Sequence, residues 1–415
     1  MNNATNSDRP GPPLAGLRVL DLTSVVMGPY CTLILAQLGA TIIKLESPEG
    51  DIIRNLGPTR QPGMAGTFHY LNAGKQSIGV DLSTPEGRAL CLRIAATCDV
   101  LVHSIRPAAI AKLGLSYEAV SAVNPGLVYC NLLGFGRDGQ YFGKPAYDDT
   151  IQAVSGLAML EAEMHGEPTY VTSVFADKLT GMAAVYSILA AIISRSKGSG
   201  GQEIDVPMFE TMVQCLLAEH ATGAVFDPPL SDPVYSRTTN AYRRPFKTAD
   251  GYLSVIVYNQ KQFEAFCGVV GREDLMADER FATFAARTRN AAVYYRTLGE
   301  LMAGRGNAEW AELLARAEIP CMIVNHTRDL YSDPHLREAG FFVPVEDETG
   351  QPLKLPRFPV SFHGTPADAP RAAPSLGRDT ERVLADIGCS PAEIGSLLDR
   401  KIVFAATDSK ADASA

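Results

Sequence analysis

The chain has 415 residues, of which 46% are hydrophobic and 20% charged, and a formal net charge of −9. That length exceeds one ordinary core and points to two domains, and the acidic balance argues against a general nucleic-acid binder, so an anionic ligand needs a local basic patch. The eight cysteines form no CxxC pair and mostly have apolar neighbours, which suits core positions in a reducing compartment.

Residues 1–13 are polar and Pro-rich, lack the apolar stretch of a signal peptide, and are expected to be a disordered lead. Leu17–Leu22 predicts a strand with Asp21 at its polar end. Gly28-Pro29 opens a helix over Tyr30–Leu38 that Gly39 closes, and Ala40–Leu45 predicts a second strand. This is one βαβ unit with a right-handed crossover. The pattern repeats with a strand at Ser77–Leu82, a helix capped by Thr84-Pro85 and running to about Thr97, and strands at Asp99–His103 and Leu127–Leu132. Such alternation argues for a doubly wound α/β domain.

Residues 177–196 predict a long apolar helix whose apolar run, Met182–Ile193, is too short to span a bilayer. A cytoplasmic protein with no membrane partner is therefore expected. A Gly/Ser turn, a strand at Gln202–Val206 and a helix over Pro207–Ala224 follow, and Asp227–Pro233 is a breaker and candidate linker. A smaller segment then predicts a strand at Tyr252–Val257 and helices over Gln260–Val270, Ala291–Met302 and Ala308–Ala317. Short strands resume near Gly340–Val345, and a last helix covers Asp379–Ile387.

The chain has no GxSxG, HExxH or Walker motif, and no cluster with metal-ligand spacing. No metal is expected. The turn Thr23–Pro29 is where a doubly wound fold places a ligand, but it lacks GxGxxG, so neither a nicotinamide nor a flavin is expected. Another phosphate-bearing ligand and a plain tight turn both remain open there. Lys75, Arg106 and Lys112 lie in loops beside predicted strands, either converging on a polyphosphate or scattered over the surface. Asp148 and Asp149 precede an apolar helical stretch and read equally as helix caps. Asp177 stands between Val174-Phe175-Ala176 and the long helix, where unpaired N–H groups stabilise an anion. Spacing alone favours a capping role for it.

The ordered set Leu14–Asp21, Leu38-Gly39-Ala40, Arg106-Pro107, Gly134-Phe135-Gly136, Tyr147-Asp148, Gln152–Gly156, Asp177, Gly200-Gly201-Gln202 and Asp250-Gly251 resembles the class III CoA-transferases, or CaiB/BaiF family, which includes formyl-CoA transferase. The resemblance covers about residues 14–390. It implies a Rossmann-like large domain from both ends of the chain (14–225 and 333–405), a smaller α/β domain (226–332), a disordered tail (406–415), and an obligate interlocked homodimer.

The resemblance also implies roles. Asp177 matches the nucleophile, which forms anhydride and thioester intermediates while coenzyme A, a substrate, moves from an acyl-CoA to a carboxylic acid. Tyr147, Asp148, Thr67 and Val26 match the substrate pocket. Val80, Asp81, Leu82, Ser83, Ser104, Ile105, Arg106, Ala109, Lys112 and Leu113 match stretches that touch CoA, and Lys75 adds charge. Val26 stands where formyl-CoA transferase has Gln, Ser104 where Asn is usual, and Ser47 where Arg can occur. The four-glycine loop is absent between Tyr235 and Gly251. These departures argue against formyl-CoA and oxalate, and the expected pair is succinyl-CoA with a small dicarboxylate. Arg243 and Arg244 are candidates for its second carboxylate and read equally as a solvated loop. The alternatives are an α-methylacyl-CoA racemase, in which His and Asp exchange a proton, and a non-catalytic acyl-CoA-binding protein.

Overall fold

The computed structural model describes residues 11–406. Its strands in chain order are β1 (Arg18–Leu22), β2 (Thr41–Glu46), β3 (Gln76–Val80), β4 (Val100–His103), β5 (Val128–Leu133), β6 (Gln202–Pro207), β7 (Phe246–Lys247), β8 (Tyr252–Val255), β9 (Cys321–Ile323), β10 (Phe342–Glu346), β11 (Pro352–Pro356) and β12 (Val403–Phe404). The chain divides into two compact units.

The first unit comprises the chain up to residue 155, residues 172–213, and the chain from 337 onward. Its sheet has the order β12-β3-β2-β1-β4-β5-β6, with β1 to β6 parallel and β12 antiparallel at one edge. Strands covered on both faces read as near-continuous apolar runs, and successive side chains serve opposite layers. Val19, Ile42, Val100 and Val128 pack in one layer with Ala183, Ala184 and Ile188 of the helix Phe175–Ser194. Leu20, Ile43, Leu101 and Tyr129 pack in the other with Leu90 and Ile94 of the helix Pro85–Ala95 and with Val383 and Leu384 near the carboxyl end. Both ends of the chain therefore build this sheet.

The chain moves outward from β1 to β3, returns to β4, and moves outward the other way. The carboxyl ends of β1 and β4 flank that reversal, where open α/β sheets place their ligands.

The second unit comprises residues 156–171 and 214–336. Its sheet is β7-β8-β9, all antiparallel. Phe263, Phe266, Leu298, Trp310 and Leu314 form its core with the helices Gln260–Val270, Ala291–Met302 and Asn307–Arg316.

The structure adjusts several expectations. The Asp227–Pro233 breaker lies inside the second unit, and the chain passes between units at 213/214 within the helix Met208–His220. A proline-rich turn ends an element without having to end a domain. Residues 11–13 of the expected lead are ordered: Ala15 N–H donates to the Pro12 carbonyl (3.0 Å), and Pro12 covers Gly39. Residues 1–10 and 407–415 lie outside the described residues. The helix Phe175–Ser194 extends beyond the apolar run and is long and apolar enough to cross a membrane by composition. It packs as a core helix, with Ala176, Thr180, Gly181, Ala183, Ala184, Val185, Ile188 and Ala191 buried. The short helices Gly66–Leu71, Pro107–Lys112 and Tyr117–Val123 were not anticipated, since six or seven residues show too little of a 3.6-residue period.

Two glycines set the close approach of the helices Met27–Gln37 and Phe175–Ser194 to the ligand edge. A Cβ at Gly28 would fall 2.2 Å from the Thr23 side chain, and one at Gly181 would fall 2.6 Å from the Met27 carbonyl oxygen. Gly181→Ala must push a backbone carbonyl away and is expected to cost roughly 1–3 kcal/mol in thermal or denaturant unfolding. An unchanged midpoint would refute this packing.

Candidate active site

The turn after β1 rests on buried charge. One oxygen of Asp21 accepts the backbone N–H of Thr23 (2.9 Å) and its hydroxyl (2.5 Å). The other accepts Thr32 Oγ1 (2.6 Å) and Lys75 Nζ (3.2 Å). Lys44, fully buried, donates to the Thr23 carbonyl (2.8 Å) and to Asp51 Oδ2 (2.9 Å), and Asp51 Oδ1 accepts the Val25 N–H (3.1 Å). These bonds hold Val25 at φ 70°, a region that β-branched residues rarely enter. Burial alone would raise the Asp21 pKa, but Lys75 and Lys44, helped by the Thr23 and Thr32 hydroxyls, bring it down to about 2.

Lys75 is consequently corrected from a CoA contact to a structural cation. Its buried ammonium also donates to the Pro29 carbonyl (3.1 Å) and Asn72 Oδ1 (2.9 Å), and its side chain has no exposure.

Above this floor lies a cavity of about 470 Å³, lined by residues 24–27 after β1, 104–107 after β4, 132–135 of β5 and its turn, 142–147, Met208 and Asp177. Among the described residues Asp177 is the one carboxylate in this lining, and Arg106 and Lys144 are its two cations. Lys144 Nζ sits 4.3 Å from the centre of the Tyr141 ring. Arg106 is exposed and immediately precedes the helix Pro107–Lys112, its side chain making no capping bond.

Asp177 lies in the first turn of its helix, and its backbone N–H donates to Asp148 Oδ1 (3.0 Å). Asp148 Oδ2 accepts Gln152 Nε2 (2.5 Å). Asp148 is buried and does not line the cavity. Rather than lining the cavity as expected, it fixes the start of the Asp177 helix through the Asp177 N–H. A carboxylate at a helix start is ordinarily favoured as the anion. Here burial, followed by the charges of Asp148 and Asp149, outweighs that preference and raises Asp177 to about 7.

The remaining expected residues separate by position. Val26, Ser104, Ile105, Arg106 and Tyr147 line the cavity with Asp177. Asp81, Leu82 and Ser83 follow β3 on the same edge of the sheet, but Val80 is wholly buried in the core and offers a ligand no side chain. Ala109 and Lys112 are exposed on the helix Pro107–Lys112, and Leu113 packs against the core. Thr67 is exposed on the helix Gly66–Leu71 and is not in the cavity lining.

Two contributors were missed. Lys144, three residues before Tyr147, carried the signal of a lone cation beside a singled-out motif. His103 ends β4, its Nε2 paired with Asn131 Oδ1 (2.7 Å) and its Nδ1 accepting the Ile105 N–H (3.2 Å). Burial holds this imidazole down to about 4, so it stays neutral while pinning the 104–106 turn. A single dispersed histidine gave no such signal.

The Asp177 shift has a stability consequence. Its native pKa of about 7 exceeds the ordinary 3.8, so the native state binds the proton more tightly, and ionisation costs stability that is fully lost above pH 7. Asp177→Asn is therefore expected to raise the unfolding midpoint relative to the parent at pH 8, with the gain shrinking as pH falls towards 4. A lower midpoint for the variant at pH 8 would contradict this electrostatic picture.

Comparison with known proteins agrees with this architecture. The model of CoA-transferase family III matches residues 14–380. The succinate–glutarate CoA-transferase of Agrobacterium fabrum is 32% identical, covering 91% of this chain and 96% of that protein. The succinyl-CoA:mesaconate CoA-transferase of Haloarcula hispanica is 30% identical, covering 90% and 96% respectively. The crystal structure of a CaiB/BaiF family protein from Brucella suis superposes with a TM-score of 0.78 at 32% identity, covering 91% of this chain and all of that one. With a matching parallel-sheet unit and a family model spanning nearly the whole sequence, the chain belongs to CoA-transferase family III.

Proposed function

We propose that this CoA-transferase moves CoA from succinyl-CoA to a small dicarboxylic acid, with Asp177 as the nucleophile. The observation that carries the reading is the position of Asp177: a lone carboxylate in the cavity lining, at the ligand edge of the sheet, with two cations in the same wall. The substrate pair follows the relatives named for succinate, glutarate and mesaconate.

In the proposed sequence the Asp177 carboxylate attacks the thioester carbonyl. The C–S bond breaks, CoA thiolate leaves, and a mixed anhydride remains. The thiolate attacks the aspartyl carbonyl, releasing the donor acid and leaving an aspartyl-CoA thioester. The acceptor carboxylate displaces the thiolate from that thioester to form a second anhydride. Thiolate attack on the acceptor's carbonyl then gives the new acyl-CoA and restores Asp177. Each step develops an oxyanion. The start of the helix Met27–Gln37, whose first N–H groups have no partner within the helix, supplies donors beside Val26 and Met27 in the cavity wall. Arg106 and Lys144 are assigned to CoA phosphates, with Ser83 and Lys112 further along the edge.

Among the described residues the cavity lining contains no histidine, which supports transfer over a racemase with a His-Asp pair. A homodimer is proposed as well. The helix Phe175–Ser194 exposes Met182 (50%), Tyr186 (61%) and Ile193 (55%), an apolar row suited to cover by a second copy. A cytoplasmic location accords with the free cysteines.

Purified protein is expected to form acceptor-CoA from succinyl-CoA and glutarate or mesaconate. Asp177→Ala should lose on the order of 10³-fold or more of that rate while retaining CoA binding. Full activity in Asp177→Ala refutes the assignment. Deuterium entering the α-position of an acyl-CoA from solvent, with no acceptor acid present, refutes transfer itself.

The nucleophile must be ionised, so the acid limb of kcat/KM should rise about tenfold per pH unit and level off near pH 7, where Asp177 titrates. Asp148→Asn removes one of the two neighbouring charges that raise Asp177 and should move that limb to lower pH. A limb that stays in place would show that Asp177 is not the titrating group.

A further inference from the structure

The second unit contains a cavity of its own, about 250 Å³ in volume. Tyr258, Phe284, Tyr294 and Tyr295 give it aromatic walls, and Arg237, Arg243, Arg244 and Arg287 line it with no aspartate or glutamate among them. Arg287 is only 3% exposed. Its Nη1 donates to Gln260 Oε1 (2.9 Å) and the Phe281 carbonyl (2.7 Å), and its guanidinium lies 4.4 Å from the centre of the Phe263 ring. Its Nη2 has no hydrogen-bond partner among the described residues. Glu264, the neighbouring carboxylate, is exposed and accepts from Gln260 Nε2 (3.0 Å) rather than from Arg287. The aromatic wall also carries charge, since the Arg237 guanidinium stands 5.4 Å from the centre of the Tyr258 ring.

A guanidinium does not shed its proton in a protein, so burial without a counter-ion is costly unless an anion offsets it. Arg243 and Arg244 are exposed and form no ion pair with another described residue. The arrangement is a buried cation without a counter-ion, two exposed cations in the same lining, and no acid in that lining among the described residues. The volume lies just below the range of about 300–1,000 Å³ typical of drug-sized ligands, which suits a small metabolite.

We propose that this cavity binds a small dicarboxylate, its carboxylates meeting the exposed Arg243 and Arg244 and offsetting the buried, uncompensated charge of Arg287 in the same lining. The choice of a dicarboxylate over another oxyanion rests on the acceptor class proposed above. The site itself rests on the buried guanidinium.

Isothermal titration of glutarate, succinate and inorganic phosphate into the full-length Asp177→Ala protein tests it. Glutarate or succinate should bind, and adding Arg243→Gln with Arg244→Gln should weaken that binding about tenfold or more, as expected for lost charge-assisted hydrogen bonds. Arg287→Gln should abolish the binding with the far-ultraviolet circular dichroism unchanged. If Arg287→Gln fails to fold, the exposed double variant decides alone. Absence of binding, or binding unaffected by the double variant, overturns the site. Phosphate binding as tightly as the dicarboxylates overturns the ligand class. A CoA-transfer assay on the unsubstituted protein runs alongside: intact transfer with no arginine-dependent binding refutes only this inference, whereas no transfer with any acceptor refutes the proposed function.

Discussion

Asp21, Lys44, Asp51 and Lys75 lie buried together beneath the carboxyl edge of the large sheet, and the floor of the Asp177 cavity depends on them. Two buried ion pairs are a weak source of net stability, because desolvating four charges consumes most of what their attraction returns. Their effect here is geometric. They fix the Thr23 carbonyl and the Val25 N–H, and so hold a β-branched residue in a left-handed conformation. That conformation turns the chain from β1 into the helix Met27–Gln37 beside Asp177. Gly28 and Gly181 complete the arrangement by letting the turn and both helices approach without a Cβ between them.

The same edge holds carboxylates in opposite electrostatic states. Asp21, among lysines and hydroxyls, is held down to about 2, whereas Asp177, half-buried near Asp148 and Asp149, is raised to about 7. Environments that separate like groups in this way are a common mark of reactive sites. A carboxylate that ionises only near neutrality is more basic than an ordinary one. A partly buried cavity also spares it some of the water that would stabilise its charge. In the proposed mechanism both effects favour attack on a carbonyl, and both are purchased with native-state stability.

Much of the fold was legible in the sequence, because parallel strands covered on both faces leave long apolar runs and their turns leave glycine and proline. The runs around Leu20, Ile43, Leu101 and Cys130 each became a sheet strand. The unit boundary was less legible. A helix crosses it at residue 213, and no composition change marks the crossing. At the site, Asp177 could not be told from a helix cap by spacing. The ordered motifs around it drew attention to it, and the fold put it in the cavity wall. Lys75 misled for a simple reason: a lysine in a loop beside a strand looks the same whether it faces solvent or Asp21. Asp148 misled similarly, since a residue next to a lining residue in sequence can be buried against a helix start instead. Arg287 gave no signal at all, because its interest lies in burial without a carboxylate partner.

The family assignment fixes the class of reaction, and the remaining chemical question is which atom carries the acyl group. Incubating the protein with succinyl-CoA and hydroxylamine, followed by peptide mass spectrometry, addresses this directly, because hydroxylamine converts an activated carboxyl into a stable hydroxamate. The proposed mechanism predicts a hydroxamate on the peptide containing Asp177, dependent on succinyl-CoA and absent from Asp177→Ala. An actively transferring enzyme that gives no adduct at Asp177, or gives one on another residue, would contradict it.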